Sequence, residues 1–444
     1  MRKIYTSFLS LAILFMLSCR QDPIFYTIST ETAPQDARIK GSPTNMVIFE
    51  REYPDPEDEN NPAIKVPILY VASGRLYWYA KSGLGTGTPR WDSAEYSISQ
   101  PGGKIIALAA TNSYLYALCL TGHNVDTALW RIGPSDVTWE RAGLSADGAA
   151  ASYPLIQSIY ADPQTERLFA GSRRTDKIRE YYAILYLDTA DLSLKLLQGD
   201  VAMLSGAAYR QQEDLYYLST KGAGIYQVAE TALAANNISE TAVVQLADNS
   251  DISEGDRKPT RQFMNIIRLK DTAESIIAIE RDGGYIYKVN NGSFERMKYT
   301  GIEQTGNWIL TGKYATGAFA FWTDDPDPLY GNTMLVVGIQ GSLYNTTTSS
   351  YTHGYVEFDL ISDGSALDGS FNTASVRRDP GRLQSVSDND RYTATLGKHP
   401  VNHLLQVPRG VDDNIIFFAS TQTAGLWSYR YLANNGGFQW NAEN

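Results

Sequence analysis

The sequence predicts an all-β fold, and three observations support that prediction. Aromatic residues and glycines are abundant among the 444 residues, with 29 Tyr, 8 Trp and 36 Gly. Aromatic side chains favour strands, and glycine favours the turns that join them. Short apolar segments recur along the chain between turn-forming residues. These segments also follow a repeating order, with up to four predicted strands in each unit.

The second strand is the most regular part of the repeating unit. Its seven versions read ILYVAS, YLYALC, RLFAGS, LYYLST, IIAIER, MLVVGI and IIFFAS, with anchors at Tyr70, Tyr116, Phe169, Tyr216, Ile277, Val336 and Phe417. The intervals between these anchors are 46, 53, 47, 61, 59 and 81 residues. A third strand follows each version, as in LYWYAK, ALWRIG and GLWSYR, and several units add a fourth, such as VTWERA and GGFQWNAE.

Units of about 40 to 60 residues with four strands each are typical of β-propellers. We therefore predict one β-propeller domain over residues 45–444, most simply with seven four-stranded blades. The alternative is a row of separate β-sandwiches. That arrangement requires a linker between each pair of cores, and no linker-like segment divides the body of the chain.

The two ends of the predicted domain should meet, because a ring of blades buries its terminal sheets only if it closes. The carboxy-terminal segments GLWSYR and GFQWNAE are predicted to be the third and fourth strands of the last blade. The segment NMVIFERE, which starts at Asn45, lies beside the junction between the last and the first blade, which we call the seam. It is either the first strand of the first blade or an added strand of the last, and the sequence leaves both arrangements open.

The amino terminus has the order of features found in secretory signal peptides. Arg2 and Lys3 are followed by an apolar run from Phe8 to Leu17, then by Ser18 and Cys19. A run of about ten apolar residues is too short to span a bilayer as a helix, which needs about 20. Residues 1–18 are therefore predicted to be a signal peptide.

The segment Met16-Leu17-Ser18-Cys19 resembles the lipobox of bacterial lipoproteins. Members of that family usually have Leu three positions before the cysteine and Gly or Ala directly before it, and relaxed versions accept Ser. The resemblance covers about 22 residues. It implies cleavage before Cys19, attachment of diacylglycerol to the Cys19 thiol and acylation of the new α-amine. The second cysteine, Cys119, lies in an apolar segment and is predicted to be a buried thiol.

Residues 19–44 are predicted to be a lipidated tether between the membrane and the propeller. The segment is polar and rich in turn-forming residues. A flexible chain of this length has an end-to-end distance of about 25–30 Å. The lipid would be the membrane attachment, at the outer membrane or cell surface rather than the inner membrane.

No catalytic, metal-binding or cofactor-binding residue is predicted. The four histidines, His123, His353, His399 and His403, include a pair in HPVNH whose β context argues against a helical zinc motif, and they are expected at surface or loop positions. Acidic loops at residues 54–62, 323–332 and 387–390 could bind Ca²⁺ loosely, but their spacing does not match a calcium-binding loop. The net charge of −11 argues against a nucleic-acid partner.

These features together predict a lipid-anchored cell-envelope protein whose propeller binds protein partners, rather than an enzyme. The body is loosely similar in architecture to envelope propeller lipoproteins of the outer-membrane assembly scaffold type. That likeness implies a class of protein and no specific activity. Two alternatives stay open. One is a propeller enzyme acting on envelope polymers or glycans, and the other is a carbohydrate-binding surface lipoprotein.

Overall fold

The structure is a computed structural model that describes most of the chain from residue 39 onwards. The described residues are 39, 42–54, 63–79, 91, 99–122, 126–143, 145–146, 148–176, 178–235, 242–249, 261–269, 274–281, 285–300, 313–322, 334–341, 354–361, 373–378, 400–407, 411–412, 414–422, 424–432 and 437–443. The predicted signal peptide (1–18), Cys19 and nearly all of the predicted tether lie outside these ranges.

The described strands form seven sheets that follow one another along the chain. Sheet one contains β1 (Met46–Tyr53), β2 (Ile64–Ala72) and β3 (Leu76–Tyr79). Sheet two contains β4 (Lys104–Ala110), β5 (Leu115–Thr121), β6 (Asp126–Ile132) and β7 (Glu140–Ala142). Sheet three contains β8 (Ser145–Ala146), β9 (Leu155–Ala161), β10 (Leu168–Asp176), β11 (Arg179–Leu187) and β12 (Ser193–Val201).

The remaining four sheets have the same organisation. Sheet four contains β13 (Leu204–Arg210), β14 (Leu215–Thr220), β15 (Ile225–Ala229) and β16 (Val243–Gln245). Sheet five contains β17 (Ala247–Asp248), β18 (Phe263–Arg268), β19 (Ile276–Glu280), β20 (Ile286–Asn290) and β21 (Ser293–Arg296). Sheet six contains β22 (Lys298–Thr300), β23 (Lys313–Trp322), β24 (Met334–Gly341), β25 (Gly354–Ile361) and β26 (Thr373–Arg378). Sheet seven contains β27 (Val401–Gln406), β28 (Ile415–Thr421), β29 (Leu426–Leu432) and β30 (Gly437–Ala442). A single-turn helix, α1 (Glu230–Ala234), follows β15.

In each sheet the strands other than β8, β17 and β22 form an antiparallel meander, and the first strand of the meander lies at the edge of the sheet that is next to the first strands of the neighbouring sheets. These first strands are β1, β4, β9, β13, β18, β23 and β27, and each contacts the next one in chain order. The last of them, β27, also contacts β1. The described sheets therefore follow one another around a closed circuit, as the sequence predicted, and do not lie in a row.

The core lies between neighbouring sheets. The second strands are buried along consecutive residues, as in β19, where all five residues from Ile276 to Glu280 are buried. This pattern arises because both faces of a sheet are covered by its neighbours. Apolar clusters join sheet one to two, two to three, three to four, four to five and six to seven.

A further apolar cluster joins sheet seven to sheet one and closes the circuit. Tyr79, Trp91 and Phe418 meet in it with ring centroids 5.0 to 5.3 Å apart. The Tyr79 hydroxyl donates to Oδ2 of Asp412 across the seam (2.6 Å). Ile39 is fully buried in the same cluster. This residue lies before residue 45, where we placed the start of the propeller domain.

The seam also decides the position of NMVIFERE. Residues 46–52 of this segment, together with Tyr53, form β1, which pairs antiparallel with β2, from Met46 opposite Val71 to Tyr53 opposite Ile64. The described strands of sheet seven all come from residues 401–442. The circuit is therefore closed by side-chain packing, and β1 belongs to the first sheet.

Three short strands add a connection that the sequence did not predict. β8, β17 and β22 each follow the outer strand of one sheet and pair in parallel with the outer strand of the next, namely β12, β21 and β26. At these three places the chain therefore pairs with the outer strand of the next sheet before it forms the first strand of that sheet. All seven predicted second strands are present as β2, β5, β10, β14, β19, β24 and β28.

Replacing Phe418 with Ala tests the seam. Phe418 is fully buried between sheets seven and one, so its removal should lower the free energy of unfolding by about 3–5 kcal/mol. Urea denaturation of residues 20–444 measures this change. Val137→Ala, at a side chain that is 50% exposed, is the control and should cost less than about 0.5 kcal/mol. If Phe418→Ala does not fold, Phe418→Leu gives the milder comparison. A loss below about 1 kcal/mol for Phe418→Ala would contradict the seam.

Candidate functional site

The first strands of all seven sheets surround a central cavity of about 950 Å³. One mouth of this cavity lies where these strands begin, and we call it the start face. Asn45, Lys221 and Asn402 lie there. The other mouth is formed by the turns that connect first to second strands, and we call it the turn face. Asn112 and Gln164 lie in these turns.

A β-bulge places one residue of most first strands towards the cavity. The pairing of first and second strands shifts register near the start of β4, β9, β13, β18, β23 and β27. A bulge leaves one residue out of the hydrogen-bonded ladder between the two strands and changes the direction of its side chain. The residues at or within these shifts are Ile106, Gln157, Ser205, Met264, Thr316 and Asn402, and all six line the cavity.

Polar side chains on the first strands bond to the backbone of the next sheet. Asn45, just before β1, exchanges two hydrogen bonds with Leu108 on β4: the Leu108 N–H donates to Oδ1 (2.8 Å) and Nδ2 donates to the Leu108 carbonyl (2.5 Å). Asn265 on β18 donates to the Gly317 carbonyl on β23 (2.8 Å). Each bond satisfies a backbone group that faces away from its own sheet.

The same relation continues at other points of the circuit. Ser158 donates to the Leu204 carbonyl (3.3 Å), and Thr316 donates to the Val401 carbonyl. At the seam, Asn402 donates to the Ser42 hydroxyl (3.4 Å). These bonds tie β9 to β13, β23 to β27, and β27 to the residues just before β1.

Asp162 performs a related role at the turn face. Its carboxylate accepts hydrogen bonds from the Tyr209 N–H (3.1 Å) and the Gln164 N–H (3.0 Å), and it pairs with Arg268 (3.3 Å). These contacts join sheets three, four and five. Asp162 is buried, and its oxygens are occupied by structural bonds, so we assign it a structural role.

Neighbouring turns of the turn face are also bonded to one another. The Asn112 N–H donates to the Thr165 carbonyl (2.8 Å), and Ser113 donates to Oε1 of Glu166 (2.8 Å). The Gln211 N–H donates to Oε2 of Glu274 (2.8 Å). Together with the contacts of Asp162, these bonds make the turns of sheets two to five one connected surface.

Lys221 is a cationic group at the start face. It follows β14 directly, its N–H donates to the Met203 carbonyl (2.8 Å), and it bridges Gln262 of the neighbouring sheet. Burial lowers the pKa of Lys221, and the positive charge of Arg281 lowers it further. No carboxylate pairs with Lys221 within the described part of the chain.

His403 lies within β27, which confirms the β context predicted for HPVNH. The prediction of a loop or surface position is wrong for this histidine, because it lies in a strand at the centre of the molecule. Its side chain is half-buried, and Nδ1 is buried without a hydrogen-bond partner among the described residues. Burial lowers the pKa of His403 from 6.5 to about 4. His403 follows the bulge of β27, where β9 and β18 have Ser158 and Asn265 after theirs.

The other residues singled out from the sequence are placed as follows. Cys119 is buried in the cluster between sheets one and two, and burial raises the pKa of its thiol to about 12, which confirms the predicted buried thiol. Cys19, His123, His353 and His399 lie outside the described residues, as do the acidic loops apart from Pro54. In the part of the chain that the structure describes, no group of three or more His, Cys, Asp or Glu side chains is arranged to hold a metal. No described helix is long and apolar enough to cross a membrane.

Sequence reasoning missed the cavity-lining residues, although a weak signal for them exists. An apolar residue, a variable residue and then a small or polar residue recur at the start of first strands. Examples are Ile105-Ile106-Ala107, Ile156-Gln157-Ser158, Leu204-Ser205-Gly206 and Phe263-Met264-Asn265. The variable residue lines the cavity in all four examples, and the residue after it also does so in three of them, as Ala107, Ser158 and Asn265.

The lowered pKa of His403 predicts a pH dependence of stability. The unfolded state takes up a proton near pH 6.5 and the folded state only near pH 4, so stability should fall as the pH falls through this window, by at most about 3 kcal/mol. His403→Asn places here the residue type that β18 has at the equivalent position, Asn265, and should remove this component. The measurement is the urea-denaturation free energy for both proteins at neutral pH and again near the lower end of the window. An equal loss in both proteins would show that His403 does not carry the effect.

Comparison with known proteins shows the fold alone. No family model and no curated protein matches the sequence. Among solved structures, the GH74 xyloglucanase from Xanthomonas campestris is similar with a TM-score of 0.51 and 13% identity, over 92% of this chain. The chain spans 55% of that xyloglucanase. Saccharomyces cerevisiae Sqt1 matches with a TM-score of 0.45 and 10% identity, over 91% of this chain and 86% of Sqt1. The chain has an all-β fold that resembles β-propellers.

Proposed function

We propose that this chain is a lipid-anchored cell-envelope protein whose seven-bladed β-propeller is a binding scaffold for protein partners. The observation that carries the scaffold role is the bonded surface of the turn face. Its turns are held to one another by backbone and side-chain hydrogen bonds, as in the pairs Asn112–Thr165 and Ser113–Glu166. A surface ordered before binding loses little conformational entropy when a partner docks.

Seven blades are supported by the seven described sheets and by the contact of β27 with β1. In such a ring, turns from every blade converge on the two mouths of one central cavity. Partners of ring-shaped scaffolds contact several blades at once, because loops that carry recognition are displayed on a rigid frame.

The lipid anchor is supported by the order of positive charge, apolar run, Ser18 and Cys19. Two or three acyl chains anchor a protein stably, since each buried CH₂ contributes about 0.8 kcal/mol. The chain enters the folded body at the seam, where Ile39 is buried and Ser42 accepts a bond from Asn402. The tether would therefore meet the propeller between its last and first blades.

Replacing Cys19 with Ala tests the anchor. Without the thiol there is no site for diacylglycerol, so the protein should move from the membrane fraction to the soluble fraction of lysed cells. Cys119→Ala is the matched control, because Cys119 is buried in the body, and it should stay with the membrane. Unchanged partitioning of Cys19→Ala would contradict lipidation at this residue.

Site-specific photo-crosslinking in intact cells tests the scaffold. A photoreactive amino acid at the exposed turn-face positions Asn112 or Gln164 should give a small number of discrete crosslinked proteins. The same amino acid at Val244, which is 43% exposed on the outer strand β16, should give none of these bands.

Two outcomes would count against the scaffold at this surface. One is the absence of adducts at both turn-face positions in a protein that still fractionates with the membrane. The other is a set of bands that is the same at Val244, which would indicate random collision.

A further inference from the structure

We propose that the start face of the central cavity binds a small hydroxylated organic acid, of the size and class of a uronic acid, whose carboxylate pairs with Lys221. This site is distinct from the turn face and does not depend on the scaffold role. The cavity of about 950 Å³ has room for such a ligand.

The position of Lys221 is set by the backbones of two sheets. Its N–H is bonded to Met203 at the entry to β13, and it pairs with Gln262 at the entry to β18. Gln262 is held in turn, because its carbonyl accepts the Arg281 N–H (2.8 Å) and its Oε1 accepts a bond from the Arg281 guanidinium (3.0 Å). The lysine backbone is therefore held at the mouth before any ligand arrives.

The electrostatics at this mouth favour an anion. Burial and the nearby Arg281 both disfavour the charged form of Lys221, and a bound carboxylate would offset both effects. The described carboxylates that line the cavity, Glu50 and Asp162, lie towards the turn face. Asp162 is already paired with Arg268, so the positive charge at the start face has no counterpart among the described lining residues.

The lining around the start face suits a hydroxylated body with apolar C–H faces. Gln157 and Asn402 offer side-chain amides from two different sheets, and Met264 and Ile106 offer apolar surface. The Gln157 amide has no hydrogen-bond partner among the described residues. A sugar acid presents the matching groups, which are one carboxylate, several hydroxyls and C–H edges.

The test is calorimetric titration of soluble residues 20–444 at low ionic strength with glucuronate, glucose and inorganic phosphate. Glucuronate should bind, and glucose, which lacks the carboxylate, should bind at least tenfold more weakly. Phosphate, which lacks the hydroxylated ring, should also bind at least tenfold more weakly. Absence of glucuronate binding, or equal binding of glucose, would overturn the proposal. Equal binding of phosphate would overturn the sugar-acid class and leave a general anion site.

Variants tie the binding to Lys221. Lys221→Met should weaken glucuronate binding at least tenfold, and Lys221→Arg, which keeps the charge, should stay within a few-fold of the original protein. Lys104→Met is the matched control, because Lys104 is exposed at the start of β4 and does not line the cavity. Thermal melting of each variant shows whether it is folded. Unchanged binding by folded Lys221→Met, or an equal loss in Lys104→Met, would overturn the assignment to Lys221.

Discussion

The unpaired edge of each first strand is the constraint on which the architecture depends. Such a strand pairs with the second strand on one side and presents bare N–H and C=O groups on the other. In this protein the adjoining sheet supplies partners for several of those groups, through Asn45 to Leu108, Ser158 to Leu204, Asn265 to Gly317 and Thr316 to Val401. Each sheet therefore depends on its neighbour for hydrogen bonds as well as for apolar packing. A sheet removed from the circuit would expose unpaired backbone groups and apolar side chains.

The seam shows how the circuit closes when, among the described residues, no sheet takes strands from both ends of the chain. Sheet seven is built from the last residues alone in the described structure, and β1 pairs with β2. Aromatic packing of Tyr79, Trp91 and Phe418, together with the bonds Tyr79–Asp412 and Asn402–Ser42, joins the ends. These contacts lie beside the point where the proposed tether would leave, so a pull on the proposed membrane anchor would act directly on the seam.

The two mouths of the cavity differ in a way that separates their proposed uses. At the turn face the charges serve the structure, because Asp162 pairs with Arg268 and with the backbone of adjacent sheets. At the start face the bulge residues Gln157 and Asn402 add side-chain amides to the cavity lining, and Lys221 has no counter-charge among the described residues. A connected surface suits a large partner, and a polar mouth with one cation suits a small anion.

The sequence alone determined the repeat, the second and third strands and the burial of Cys119, because those depend on runs of apolar residues in consecutive positions. It could not decide the partner of NMVIFERE, the parallel strands β8, β17 and β22, or the environment of His403. The sequence also did not predict the cavity or the position of Lys221, since the residues that line the cavity come from all seven sheets and are far apart along the chain. Those features were decided by the tertiary structure, because they depend on which sheet lies beside which and on how closely their backbones approach.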